Sequence, residues 1–200
     1  LEDAYLNSYL RVLNDKWQGF VKDYSISLPN HQRSFYKSKV PQIVGKNQKV
    51  FVIISDALRF ECAKELSKLI SYENTESRSF SVNESYMISS LPSYTQLGMA
   101  SLLPNNELEI KSTDDTVYVD GKSSKGKDAR IKILQSEDIN STALNDEEFL
   151  KLSRENGREL VKANNVIYIY HNQIDATGDD PITEEKVFDA VESSFATLIK

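Results

Sequence analysis

Cysteine is almost absent from this sequence. Cys62 is the only one in 200 residues, so no internal disulfide can form, which fits a reducing compartment. Histidine is nearly as scarce, with only His31 and His171. No uninterrupted apolar run approaches the ~20 residues of a membrane span, and the N-terminal residues lack the apolar core of a signal peptide. The expectation is a soluble cytoplasmic protein with no membrane contact. Positive charge is not in excess either: 24 Lys and Arg stand against 30 Asp and Glu, for a net charge of −6. A polyanion would therefore have to bind through a local patch or a metal, not a global basic face. Repeats and long low-complexity segments are missing too. What is present is a globular balance, 40% hydrophobic and 27% charged, in a length that suits one domain with a sizeable core.

The pattern along the chain alternates. Tyr5, Tyr9, Val12, Leu13, Trp17, Phe20 and Val21 step by three and four, the spacing of an amphipathic helix. A polar stretch bounded by Pro29 and Pro41 follows. The run "KVFVIIS" at 49–55 has the Val/Ile content of a strand buried on both faces. From Ala57 the period turns helical, with Leu58, Cys62, Leu66 and Leu69 on one face, which makes half of a βαβ unit. Partial alternation of Phe80, Val82, Tyr86 and Ile88 predicts a strand leading to Pro92. "PSYTQLGMASLLP" predicts a turn and a short helix closed by Pro104. The stretch 107–134 reads as two short strands and a Gly/Lys/Ser-rich loop before a helix or further extended piece. A single helix is expected over 146–162, capped by Asn145. "NNVIYIYHN" gives a second buried strand, and a final helix is expected over 183–200, capped by Thr183. Strands alternating with helices argue for an α/β fold with a mostly parallel sheet and flanking helices. The sequence begins inside one helical pattern and stops inside another, so a piece of a longer protein is the expectation.

In an open parallel sheet, ligands sit beyond the carboxyl ends of the strands. Two such ends carry carboxylates: Asp56 after "VFVIIS", and Asp175 with Asp179 and Asp180 after "VIYIYHNQI". Each has a plain structural alternative. Ser55 or Asp56 could cap the following helix, the aspartates could line a solvated glycine turn, and His171 could be a hydrogen-bonded strand-end histidine. Taken together they suit a divalent cation, which wants oxygens converging from separate strands. Ser93, Tyr94 and Thr95 stand where a turn enters a helix, an environment that favours a bound phosphate or an activated hydroxyl. The same hydroxyls could simply cap that helix. Lys122, Lys125, Lys127, Arg130 and Lys132 form a local basic patch that could track phosphodiesters or be a solvated loop.

With these residues in view, the sequence resembles the PglZ domain of BREX-type phage-defence systems, a branch of the alkaline phosphatase superfamily. Three stretches carry the likeness in order: "KVFVIISDALRFECAKEL", "LPSYTQLGMASLLP" and "VIYIYHNQIDATGDD". The resemblance implies a helical segment and linker at 1–48, then the front part of an alkaline-phosphatase-like domain at 49–200. It implies metal ligands at Asp56, Asp175 and Asp179, with Thr95 as metal-bound nucleophile and Ser93 as the fallback. His171 becomes a supporting residue or possible ligand, and Lys122, Lys125, Lys127 and Arg130 weak phosphate or nucleic-acid contacts. Position 179 is Asp where the superfamily commonly has His, which hardens the site. A pair of zinc ions in the parent is what the resemblance implies, with manganese or magnesium as alternatives. The superfamily's downstream Asp-His pair and later His have no match here.

The resemblance thus implies a metal-dependent phosphoesterase or phosphodiesterase of an antiphage defence protein, present here as a segment expected to be inactive alone. Implied partners are other BREX-system proteins and a nucleic acid or nucleotide phosphodiester. The alternative is a non-catalytic interaction or scaffold module of a defence complex.

Overall fold

A computed structural model describes residues 2–22, 30–72, 80–111 and 115–200. Part of the stretch bounded by Pro29 and Pro41, Pro29 included, lies outside them. The N-terminal stretch is helical, a π-wound segment Ala4–Leu10 running into α1, Arg11–Lys22. Its apolar residues Tyr5, Tyr9, Trp17 and Phe20 are all exposed, Phe20 by 70%. Pro41 sits inside α2, Phe35–Val44, so that stretch is largely helical and not the polar linker expected. The strand β1, Val50–Ser55, turns through Asp56 and Ala57 into α3, Phe60–Tyr72. Residues 80–88 form no strand ladder among the described residues; a single β-bridge joins His31 to Ile88. The strand expected there is absent among the described residues, because alternation alone found no partner strand.

Helix α4, Thr95–Ser101, follows the turn at Pro92. Then come β2 (Leu108–Ile110), β3 (Val117–Val119) and β4 (Lys122–Ser123), a small antiparallel sheet. Its hairpin turns at Asp120 and Gly121, both at positive φ, where a glycine removes the Cβ conflict. Helix α5 spans Lys127–Leu134. The single helix expected over 146–162 is in fact two, α6 (Asp146–Leu150) and α7 (Arg154–Ala163), and a strand that was not expected, β5 (Ser141–Asn145), precedes them. Ser153 breaks the pattern by accepting the Asn156 N–H at 3.2 Å and starting a new helix. Last are β6 (Val166–His171), α8 (Gln173–Asp179) and α9 (Val187–Ile199). Thr183 does not cap by accepting; its hydroxyl donates to the Thr177 carbonyl at 2.9 Å.

The main sheet is parallel, in the order β1-β6-β5. Register places Ser55 beside His171 and Asn145 beside Tyr170, so all three strands end at the same edge. The α/β architecture with a parallel sheet and flanking helices is therefore as the sequence implies. Val166, Tyr168 and Tyr170 of β6 face one core with Tyr36 and Val40 of α2, Leu97 and Ala100 of α4, and Ile133 and Leu134 of α5. The Tyr168 hydroxyl donates to the Leu102 carbonyl at 2.7 Å, which ties the central strand to the end of α4. At the opposite edge the Lys49 ammonium donates to the Asn164 carbonyl at 2.9 Å, joining the start of β1 to the end of α7. Burial on both faces holds for β6 but not for β1, where Phe51 is 42% and Ile53 49% exposed. Among the described residues no helix is long and apolar enough to cross a membrane.

Candidate active site

The converging strand ends open onto a cleft of about 650 Å³. Asp56, Thr95, Arg130, Asn145, His171 and Asp175 are among its lining residues. These come from the β1 turn, the start of α4, helix α5, the end of β5, the end of β6 and helix α8. Parallel strands in register deliver them to one edge, as the strand-end argument requires.

The plain structural alternatives can be checked one by one. Asp56 does not cap α3, which begins at Phe60; its Oδ1 instead accepts the Ala57 N–H at 3.1 Å. Its backbone N–H donates to the His171 carbonyl at 2.9 Å, extending the β1–β6 ladder by one residue and fixing where the carboxylate starts. Ala57 holds φ at 60°, a left-handed conformation that an L-residue adopts at a cost. Ser55 shares a hydrogen bond with His171 Nδ1 at 2.8 Å. Neither Ser93 nor Thr95 caps α4: Tyr94 holds that position and makes no side-chain cap bond. The Thr95 side chain is exposed to the cleft, whereas Ser93 does not line it.

Asp175 and Asp179 lie not in a glycine turn but on α8, four residues apart and so on one helix face. Asp175 lines the cleft and Asp179 does not. Asp180 has the turn role, its Oδ1 accepting the Ile182 N–H at 2.9 Å. Burial raises the Asp56 carboxyl above the ordinary aspartate range; the Ala57 N–H and Arg130 oppose that, and the Asp179 charge adds to it. Asp175 is raised by burial first, then by the Asp56 and Asp179 charges. The three carboxylates therefore sense one another.

His171 is 1% exposed, and its Nε2 has no hydrogen-bond partner among the described residues. An imidazole nitrogen, two carboxylates and a hydroxyl in one lining are donor types that a divalent cation uses. Yet no group of three or more His, Cys, Asp or Glu side chains is assembled to hold a metal among the described residues. The residues present do not fit a complete metal site on their own.

The basic patch divides. Lys127 and Arg130 line the cleft, but Lys122 and Lys125 do not. Lys127 is paired with Glu148, and Lys151, also in the lining, with Glu147 at 2.9 Å. The wall formed by Asn145 to Glu148 and Lys151 escaped the sequence reading because β5 did. Its legible signal was the Asn145–Glu148 spacing of a capping box, in which the Asn145 N–H donates to Glu148 Oε2 at 2.9 Å. Tyr170 was missed as well. It stands under the Arg130 guanidinium, 4.9 Å from ring centre to Cζ.

A parallel sheet whose strand ends gather carboxylates and a helix-start hydroxyl is the class of the alkaline phosphatase-like domains. Residues 35–200 match the model of the BREX system PglZ alkaline phosphatase-like domain, and the chain belongs to that family. It is 39% identical over 203 residues to the alkaline phosphatase-like protein PglZ of Bacillus cereus (strain H3081.97). It is also 39% identical over 207 residues to the alkaline phosphatase-like protein BrxZ of Escherichia coli O9:H4 (strain HS). Both matches cover 99% of the chain, which spans about a quarter (23%) of the length of each relative.

Proposed function

We propose that this domain carries the nucleophile side of a phosphoester-hydrolysing site in a BREX defence protein. The observation that carries the reading is the shared cleft: Asp56, Thr95 and Asp175, from three separate elements, line it together. The Thr95 hydroxyl is the nucleophile, with Ser93 the weaker choice. Asp56 and Asp175 supply oxygen donors at the cleft, and Asp179 backs them from the outer turn of α8. His171 braces the β1 end through Ser55. The family's divalent metal, zinc before manganese or magnesium, needs further donors from outside these 200 residues. The longer relatives have room for them. A phosphodiester, within a nucleic acid or a nucleotide, is the substrate class.

The test is hydrolysis of bis(p-nitrophenyl) phosphate by the full-length protein with zinc or manganese added, beside its Thr95→Ala variant. Loss of the nucleophile should lower kcat at least about a hundredfold. Equal rates would remove Thr95 from the role. The 200-residue chain alone should give no measurable turnover, and a metal-dependent rate matching the full-length protein would show that its donor set is complete.

A second reading, a non-catalytic module that docks other BREX proteins, is favoured by the exposed aromatic stripe on the N-terminal helix. Large apolar residues left in water mark contact surfaces. Activity that survives deletion of residues 2–22, with loss of co-purifying BREX subunits, would assign the stripe to docking and leave the cleft its chemistry.

A further inference from the structure

We infer that a groove beside α7 takes the acidic start of α9 from a second copy of this chain. The groove has a volume of about 1010 Å³, and its wall includes Lys49, Phe149, Arg154, Arg158, Val161 and Lys162. Lys49, just ahead of β1, places it at the sheet edge opposite the cleft. Arg154, Arg158 and Lys162 are four residues apart, so they share one face of α7 at steps of ~6 Å. Like charges at that spacing work against the helix. Arg154 also takes its first position, where the positive end of the helix dipole disfavours a cation. None of the three has an ion pair among the described residues. Lys49 adds a fourth charge, its ammonium held by three neutral oxygens of Lys162, Asn164 and Asn165. Glu155 and Glu159 share the lining, which leaves four cations against two carboxylates. In a chain of net charge −6 this is a local reversal of sign. Charges that weaken their own helix and pair with nothing nearby are what a binding surface keeps.

The wall also defines the occupant. Phe149 and Val161 make part of it apolar, which a phosphate backbone would leave unmatched, and Glu155 and Glu159 would repel a continuous polyanion. An acidic helix with a large apolar side chain on the same face answers both parts. This chain contains such a segment, "TEEKVFDAVE" at 183–192. Glu184 and Glu185 lie in the short turn before α9, and Asp189 and Glu192 in its first two turns. Glu185, Asp189 and Glu192 are four and three residues apart, close to the spacing of the three α7 cations. None of these carboxylates has an ion pair among the described residues. Phe188, four residues before Glu192 and so on its face, is 79% exposed. Seating Phe188 against Phe149 takes an aromatic ring out of water, and the opposed charges set the register. Each copy has both a groove and an acidic helix, so two copies that exchange them close as a dimer.

The experiment is sedimentation velocity of the full-length protein over a range of protein and salt concentrations. The unaltered protein should self-associate, and more weakly as salt rises. Arg158→Glu and Asp189→Lys should each raise the dissociation constant at least about tenfold. Combined in one chain they should recover most of that loss, because the reversed charges meet again across the contact. Such rescue also shows that neither single loss comes from misfolding. Lys46→Glu, an equal reversal on the exposed turn after α2, should associate as the unaltered protein does. An unaltered protein that stays monomeric, single variants that associate as tightly as it does, or a double variant no better than the weaker single one would each overturn the inference. A second arm titrates a fluorescent single-stranded oligonucleotide. Saturable binding that Arg158→Glu abolishes while self-association is untouched would assign the groove to a nucleic acid and overturn it too.

Discussion

Ile53 and Ile169 are neighbours in the parallel sheet, paired in register between β1 and β6, as are Phe51 and Ile167. They point to the same face of the sheet. Ile167 is 1% exposed, while Ile53 is 49% exposed. The two strands are built from similar sequences, "VFVIIS" and "VIYIYH", so composition does not explain the difference. Place does. β6 lies between two strands, whereas β1 pairs on one side only among the described residues, and Phe51 meets the Phe149 ring edge-on. A Val/Ile run reports that a strand can be buried; the order of strands decides whether it is.

The sharpest way to break this contrast is truncation on both strands. Ile167→Ala should cost about 3 kcal/mol, the usual loss for a sealed isoleucine, and lower Tm by about 6–12 °C in a domain of this size. Ile53→Ala should cost less than about 1 kcal/mol, because half of its side chain is already in water. Equal losses in calorimetry would mean that the outer face of β1 is covered in solution. A smaller effect comes from Tyr168→Phe on the central strand. It removes the donor to the Leu102 carbonyl and should cost about 1–2 kcal/mol by denaturant titration. No loss would mean that the carbonyl finds another donor.

The smallest effect concerns the ends of the same strands and has the opposite sign. Burial raises the Asp56 carboxyl in the fold, so between the ordinary aspartate value and the raised one the folded chain binds more protons than the unfolded chain. Stability contributed by this group therefore falls as pH rises through that window and stays lower above it. Asp56→Asn in the metal-free chain should flatten the fall and raise Tm near neutral pH by about 1–3 °C. A lower Tm at neutral pH would show that the carboxylate is structural and not held for function.

Local chemistry made much of this fold legible. β1 and β6 announce themselves by apolar, β-branched runs, and α4 by its proline boundaries. β5 did not, because "STALN" has little strand propensity of its own and owes its conformation to pairing with β6. The reverse failure at 80–88 has the same cause: alternation was present and the partner was not. At the site, Asp56, Thr95 and Asp175 could be read from their positions at element ends. The division of the lysine patch could not, because it depends on which residue of α5 lies over Tyr170 and which glutamates of α6 reach Lys127 and Lys151. The Arg130–Tyr170 and Lys127–Glu148 contacts join segments far apart in sequence and become visible only once the strands are ordered, whereas Lys151 and Glu147 are only four residues apart.

Ala57 gives the cleft a mechanical property. A glycine could adopt φ near 60° without penalty, whereas an alanine there gives up about 1–2 kcal/mol. The Cβ also removes the alternative backbone states that a glycine would keep open. The strained turn and the Asp56 N–H bond to the His171 carbonyl set by backbone where the Asp56 carboxylate starts. Much of the organisation at Asp56 is in place before any ligand arrives.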